Sequence, residues 1–331
     1  MKKYWDFLTE SKHDEIDRVC RQHNIENYTI NEDGSIDVEG DVTIRMHIPY
    51  QELPLKFRRV LGNFDCSNNT FRTLEGSPDY VAGNFDCSNN LIKSLKGGPK
   101  EVGGVFDCCH NELKTLEGGP ESVTSYTCRG NKLVSLKGCP SEIPGYFSCT
   151  DNELKTLEGG PVEVWNNYEC YSNQLTSLVG GPRKVRRHFQ CDNNNITSLE
   201  GCPEITEGNL DCSDNELTDL IGCPERLNGW SLDISNNRLK TLEGFPLIIN
   251  AAKLQYDMAL NPVEEVYNLL MGNSEHPEDK LRVIEAMNEE MPIYPNTMEV
   301  SYTILCEIWE ANNETPIPSD QIEFENYTLV E

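Results

Sequence analysis

With 331 residues, 37 % hydrophobic and 25 % charged, the chain can bury a core, and no apolar run approaches the roughly 18–20 residues of a spanning helix. Its net charge is −27, and residues 251–331 carry 3 Lys/Arg against 17 Asp/Glu, so about half the excess sits on the last quarter. Such a surface repels nucleic acid and anionic membrane and attracts basic partners, which sets aside direct binding to either.

The opening Met1-Lys2-Lys3-Tyr4-Trp5-Asp6 is charged at once and lacks an apolar h-region, so a secretory leader is not expected. Residues 11–23 place Ile16, Val19 and Cys20 on one helical face, with Ser11 and Glu15 marking an acidic first turn. Residues 28–60 read as strands and a degenerate first coil, with Leu53-Pro54-Leu55 where later segments have Leu-x-Gly. Residues 1–60 are therefore expected to cap a stack of repeats, because a solenoid exposes a raw apolar end unless something covers it.

Residues 61–250 repeat. Cys66, Cys87, Cys108, Cys128, Cys149, Cys170, Cys191 and Cys212 recur at steps of 20 or 21, and Ile234 stands in the ninth place. Phe85-Asp86-Cys87-Ser88-Asn89-Asn90-Leu91-Ile92-Lys93-Ser94-Leu95-Lys96-Gly97-Gly98-Pro99 shows the unit. The 14 cysteines include no CxxC pair and no histidine at zinc-ligand spacing. They read as small buried hydrophobes, and such a thiol ladder fits a reducing, cytoplasmic setting. No metal or cofactor is expected.

Each column has a physical role. Phe-x-Cys alternates with period two, a short strand with both residues pointing into the coil. The Asn column is Asn69, Asn90, Asn111, Asn131, Asn152, Asn173, Asn194, Asn215 and Asn237. Its amides are expected to form an internal ladder that satisfies backbone groups of neighbouring coils. Leu-like residues fill the coil, and Gly-x-Pro turns the chain without a helix. The fold expected is a right-handed α+β repeat solenoid with a parallel β-sheet on one face, an extended convex side and helical caps at both ends.

This pattern resembles the leucine-rich repeat of the shortest bacterial type, with a 20–21 residue period. The phrasing Cys66-Ser67-Asn68-Asn69 and Leu74-Glu75-Gly76-Ser77-Pro78 is similar to leucine-rich-repeat proteins of large tailed bacteriophages. The likeness includes the lead-in of residues 33–42 and Asn261-Pro262 opening a terminal helix. It implies a binding protein, with a host protein as the natural target, an antiviral defence component among the candidates.

After Pro246 the repeat stops, and residues 251–331 read as an acidic helical cap or subdomain. Asn261-Pro262 resembles an N-cap with Pro in the first helical position, followed by Val263, Val266, Tyr267 and Leu270 at helical spacing. Further helices are expected over 277–289, with Leu281, Ile284 and Met287 apolar, and over 298–310, with Ile304, Leu305, Ile308 and Trp309.

Catalysis is not expected. The six histidines are scattered, and no GxSxG, HExxH or phosphate-loop motif occurs. Cys306 lies in a segment too short for the ligase domains that follow some bacterial leucine-rich repeats. The Asp65, Asp86, Asp107 column lacks the loop grammar of a calcium solenoid.

Binding signals lie where the template breaks on the strand face. Positions flanking the inward Phe and Cys are expected to point outward. The column after Cys is Ser67, Ser88, Cys109, Arg129, Thr150, Tyr171, Asp192 and Ser213. Middle units depart from small consensus residues: Arg129, Tyr146, Trp165, Tyr171, Arg186, Arg187 and His188 are the candidate partner-binding set. Tyr, Trp and Arg dominate interface hot spots. Arg183, Lys184, Arg186 and Arg187 form the basic cluster of an acidic molecule. The partner expected is another protein, and the acidic surface favours a basic one. The competing reading is an acidic nucleic-acid mimic acting through the C-terminal carboxylates.

Overall fold

The computed structural model describes residues 2–45, 51–224, 226–227, 231–246, 248–249, 255–271, 277–290, 293–312, 322 and 324–330. The chain divides into two compact units, Met1–Asn173 and Gln174–Glu331.

The first unit opens with helix α1 (Lys2–Gln22), longer than the 11–23 expected from spacing. No Gly or Pro interrupts residues 2–22, so the helix propagates upstream and Ser11 lies inside it rather than at its start. Ile16 and Cys20 are buried, and the Tyr28 hydroxyl donates to the Asp17 carboxylate at 2.6 Å, tying the helix to the strands that follow. Strand Tyr28–Ile30 pairs antiparallel with Ile36–Val38, which in turn pairs parallel with Phe57–Val60.

From there every pairing in the unit is parallel, one coil on the next. Phe64, Phe85, Phe106, Tyr126, Phe147 and Tyr168 are successive register partners. Their rings form a continuous buried spine, with centroids 5.0–6.2 Å apart. The coil stack begins earlier than the first cysteine, because Val42–Thr43 pairs with Phe64–Asp65 and places Ile44 in the cysteine column.

A second parallel ladder runs beside the first. Val60, Val81, Val102 and Val123 are register partners, as are Ile143 and Val164. Between the two ladders each coil bends at a corner such as Ala82-Gly83. The step from Cys108 to Cys128 is one residue short. There the corner straightens, and Glu101–Asp107 and Ser122–Thr127 run through both ladders.

Backbone geometry explains two columns. In Leu-x-Gly-x the N–H of the fourth residue donates to the leucine carbonyl, as Gly98 to Leu95 at 3.0 Å, and the glycine has φ of 83–99°. This is a type II turn, whose third position demands positive φ and therefore Gly. The residue before each ladder asparagine also has positive φ: Asn68, Asn89, His110, Gly130, Asp151 and Ser172 in this unit, all at 52–67°. Asn, Asp and Gly tolerate that region best.

The second unit continues the same grammar. Phe189, Leu210, Leu232 and Tyr256 are parallel partners on one ladder, and Val185, Thr206, Leu227 and Ile249 on the other. Three helices follow: α2 (Val263–Met271), α3 (Pro277–Glu290) and α4 (Tyr302–Asn312). Val266, Tyr267, Leu270, Ile284, Met287, Leu305 and Ile308 are buried, while the Leu281 side chain lies outside the described residues. The last helix begins four residues later than spacing indicated. Met298 has φ 55°, Glu299–Ser301 is a strand, and the Ser301 hydroxyl accepts the Ile304 N–H at 3.3 Å as an N-cap. That strand sits between Ile293–Tyr294, antiparallel, and Thr328–Val330, parallel.

The strand face as a candidate binding site

The asparagine ladder fixes the site's frame. Asn152 donates through Nδ2 to the carbonyl of Cys128 in the preceding coil at 3.1 Å, and to Cys149 and Thr150 of its own coil at 3.1 and 3.0 Å. Its Oδ1 accepts the Leu133 N–H at 3.0 Å. Both ends of the amide are thus used, and a neighbouring coil is joined at each.

Asn69, Asn90, Asn111, Asn131 and Asn173 repeat the donor contacts in the first unit. Asn194, Asn215 and Asn237 occupy the same place in the second. Cysteines 66, 87, 108, 128, 149, 170, 191 and 212 are fully buried. Several thiols donate to a carbonyl of the next coil, as Cys128 Sγ to Ser148 at 3.3 Å, and burial pushes their pKa values up. A cysteine held this way is an unreactive core group.

The column after cysteine does not point outward as a whole. Ser67, Ser88, Cys109, Thr150 and Ser213 are buried, because the chain curls into its positive-φ turn immediately afterwards. The preceding aspartates build that curl. Asp65 and Asp211 each accept the N–H and the hydroxyl of the serine two residues on, and Asp86 and Asp107 accept the corresponding N–H of Ser88 and Cys109. The acidic column is therefore turn architecture. Burial pushes the Asp86 and Asp211 carboxyls up, against the serine bonds that pull them down. Among the described residues no three His, Cys, Asp or Glu side chains could hold one metal ion.

Against this sunken background the large residues stand out. In the first unit Arg129 is exposed and its Nε meets the Asp151 carboxylate at 2.7 Å. Tyr171, in the same column, is half-buried. Tyr146 is also half-buried, its N–H held by the Ser125 hydroxyl at 3.2 Å. Burial first, and then Asp107, Cys109 and Glu169, push its phenol pKa up. Trp165 sits on the corner between the two ladders, 49 % exposed, with Val162 of the same coil equally so.

The second unit holds the other three candidates. Arg186 and Arg187 are exposed at its corner. Arg187 stands where most coils have a glycine: at Gly208, the next corner, an added Cβ would lie 2.4 Å from the Arg187 carbonyl carbon. Nearby Arg183 pairs with Glu204 at 3.0 Å.

His188 has a structural contact, since its Nδ1 accepts the Asn209 N–H at 3.0 Å. In the first unit Asp41, Asn63, Asn84 and Ser125 make the equivalent contact to the following coil. The recurring Asn63, Asn84 and Asn209 thus stand in a second side-chain ladder, at positions flanking the inward Phe that alternation alone would point outward.

Each unit is built of coils stacked as a parallel β-solenoid, with asparagine and leucine columns like those of a leucine-rich repeat. Among solved structures the chain is similar to YopM from Yersinia enterocolitica WA-314, at 16% identity and a TM-score of 0.37. The similarity covers 67% of this chain and 60% of that one, so the chain spans less than two thirds of that protein's length. No protein-family model matches the chain, and no curated protein matches it. Among the described residues no helix is long and apolar enough to cross a membrane.

Proposed function

We propose that the chain is a non-enzymatic protein-binding solenoid whose contact surface is the strand face, with Arg129, Tyr146 and Tyr171 in the first unit as its anchors. One observation carries this reading. Arg129 and Tyr171 hold large amphipathic side chains in a column that elsewhere carries the buried Ser67, Ser88, Cys109 and Thr150, and Tyr146 stands in the flanking column where other coils have Asn63, Asn84 or Ser125. Two half-buried tyrosines bring wide contact area at low entropic cost, as interface hot spots do. Trp165 at the corner, and Arg186 and Arg187 in the second unit, are further contact candidates. His188 joins this set while also serving the flanking ladder through the Asn209 N–H.

The finer reading is a phage-encoded protein acting in the host cytoplasm on a host protein, an antiviral defence component among the candidates. It is supported by the Cys-Ser-Asn-Asn and Leu-Glu-Gly-x-Pro phrasing. The acidic-mimic reading draws on charge alone, and part of that charge has structural work. Glu265 accepts the N–H groups of Glu325 and Asn326 at 2.8 and 3.2 Å, and Glu264 accepts that of Leu260 at 2.9 Å. Affinity capture with the tagged chain and its Tyr146→Ala and Tyr171→Ala variants tests the proposal: a partner held through the strand face is lost with either.

A further inference from the structure

The position before proline in the Gly-x-Pro turn is Gly or Ser in most coils, but Cys in three: Cys139, Cys202 and Cys223. Cys202 and Cys223 belong to consecutive coils of the second unit. Their turns are the same: Gly201 and Gly222 have φ of 90° and 94°, and both cysteine N–H groups donate to the leucine three residues back at 2.9 Å. Four residues on, Thr206 pairs with Leu227, so the 21-residue offset between the cysteines is the register of the stack.

Parallel neighbours lie about 4.8 Å apart, inside the Cα separation of about 4.4–6.8 Å that a disulfide spans. Both residues are partly exposed although their thiols are largely buried, unlike the ladder cysteines of the same coils, Cys191 and Cys212, which are fully buried and donate to backbone carbonyls.

We propose that Cys202 and Cys223 form a dithiol–disulfide couple that clips two coils of the second unit together. With a low-molecular-weight disulfide as oxidant, one cysteine thiolate attacks it, forming a mixed disulfide and releasing one small thiolate. The second cysteine sulfur then displaces the other small thiolate and closes the Sγ–Sγ bond. Two cysteine thiols are oxidised, one small disulfide is reduced to two thiols, and the two cysteine protons end on those thiols. Burial pushes the Cys223 pKa up to about 12 and that of Cys202 well above its ordinary value. The thiolate fraction is therefore small, and the couple responds to sustained oxidation rather than a brief pulse.

Cys139 is a built-in control. It occupies the same turn position in the first unit, but the coils on either side have Gly119 and Gly160 there. The full chain, reduced and then incubated with glutathione disulfide, is alkylated and mapped by mass spectrometry. The expected product is a Cys202–Cys223 cross-linked peptide lacking two hydrogens, with Cys139 found as free thiol or glutathione adduct. Oxidised wild type unfolds at higher urea, and dithiothreitol reverses the shift. Cys202→Ser and Cys223→Ser each abolish the cross-link and leave the remaining cysteine as a glutathione adduct, while their reduced forms keep the wild-type circular dichroism. Separate glutathione adducts on Cys202 and Cys223 with no cross-link in folded wild type, or a cross-link from either to another cysteine, would overturn the proposal.

Discussion

Asn261 donates from Nδ2 to the backbone carbonyl of Ile234 at 2.8 Å, 27 residues upstream. The same side chain donates to Met258 at 3.0 Å, and its Oδ1 accepts the Leu239 N–H at 3.0 Å. These are the contacts of a repeat asparagine. Asn261 is thus a ladder member that also precedes helix α2, and Val263, the first residue of that helix, donates to the Leu239 carbonyl at 2.9 Å. The helical cap is bonded to the last coil by the interaction that joins coil to coil.

Asn261→Ala is therefore expected to destabilise the protein by roughly 1–3 kcal/mol, the cost of stranding buried backbone groups. Asn152→Ala in the first unit should cost about as much for the same reason. Urea unfolding followed by circular dichroism measures both. A wild-type midpoint for Asn261→Ala would contradict its ladder role.

Leu260 occupies the positive-φ position before Asn261, with φ 61° and 74 % of its surface exposed. It bears the steric strain of that region without the burial that would offset it. Leu260→Gly should raise stability by up to about 1 kcal/mol, since the left-handed penalty of about 1–2 kcal/mol is partly cancelled by glycine's greater unfolded-state entropy. A lower midpoint than wild type would show that the leucine side chain contributes packing.

Asp192 stands in the sunken column, and among the described residues its Oδ1 has no hydrogen-bond partner. Burial, then the Asp211 carboxylate, raises its pKa from 3.8 to about 6. The unfolded chain loses this proton near pH 4, but the folded chain holds it to about pH 6. The group therefore costs nothing below about pH 4, costs increasingly between pH 4 and 6, and costs its full amount above. Asp192→Asn should stabilise the protein at pH 7 by about 1–2 kcal/mol, a figure discounted for the side chain's partial exposure. The advantage should vanish below about pH 4. Urea midpoints for both proteins at pH 3.5, 5 and 7 decide it, and a difference independent of pH would contradict the assignment.

The coil was legible in the sequence because its main columns are chemical necessities. Phe64, Cys66, Asn69 and Leu74 each fill a place that few other residues can fill, and they return every 20 or 21 residues. The second strand ladder leaves no periodic signal because most of its strands are two residues long, as Glu163–Val164, with one inward residue each, too short for alternation to show. His188 is a related case: histidine on a surface column suggests contact with a partner, and its Nδ1 also does the work of an asparagine carbonyl toward Asn209. The small C-terminal sheet left no signal beside three strongly periodic helices. Tyr146, Tyr171 and Arg129 stand out in the sequence as departures from a consensus, whereas the burial of Ser67 and Thr150 beside them is set by the turn after cysteine and has no sequence signal.

The strand-face proposal is tested most directly by comparing partner retention between wild type and a Tyr146→Ala/Tyr171→Ala/Arg129→Ala chain. The exposed Arg129–Asp151 pair should contribute little, and truncating the half-buried Tyr146 and Tyr171 should cost about 1 kcal/mol each, so the variant is first checked for a wild-type circular dichroism spectrum. Tagged proteins are loaded equally and challenged with host lysate, and the partner found with wild type is then titrated in purified form. The account predicts that the triple variant binds that partner at least about thirtyfold more weakly, the loss of roughly 2 kcal/mol expected of a single hot-spot residue. Charge reversals at Glu289, Glu290 and Glu299 should act mainly on association rate at low salt. Wild-type affinity in the triple variant, with binding abolished by the glutamate reversals, would contradict the strand-face account and place the contact on the acidic C-terminal region.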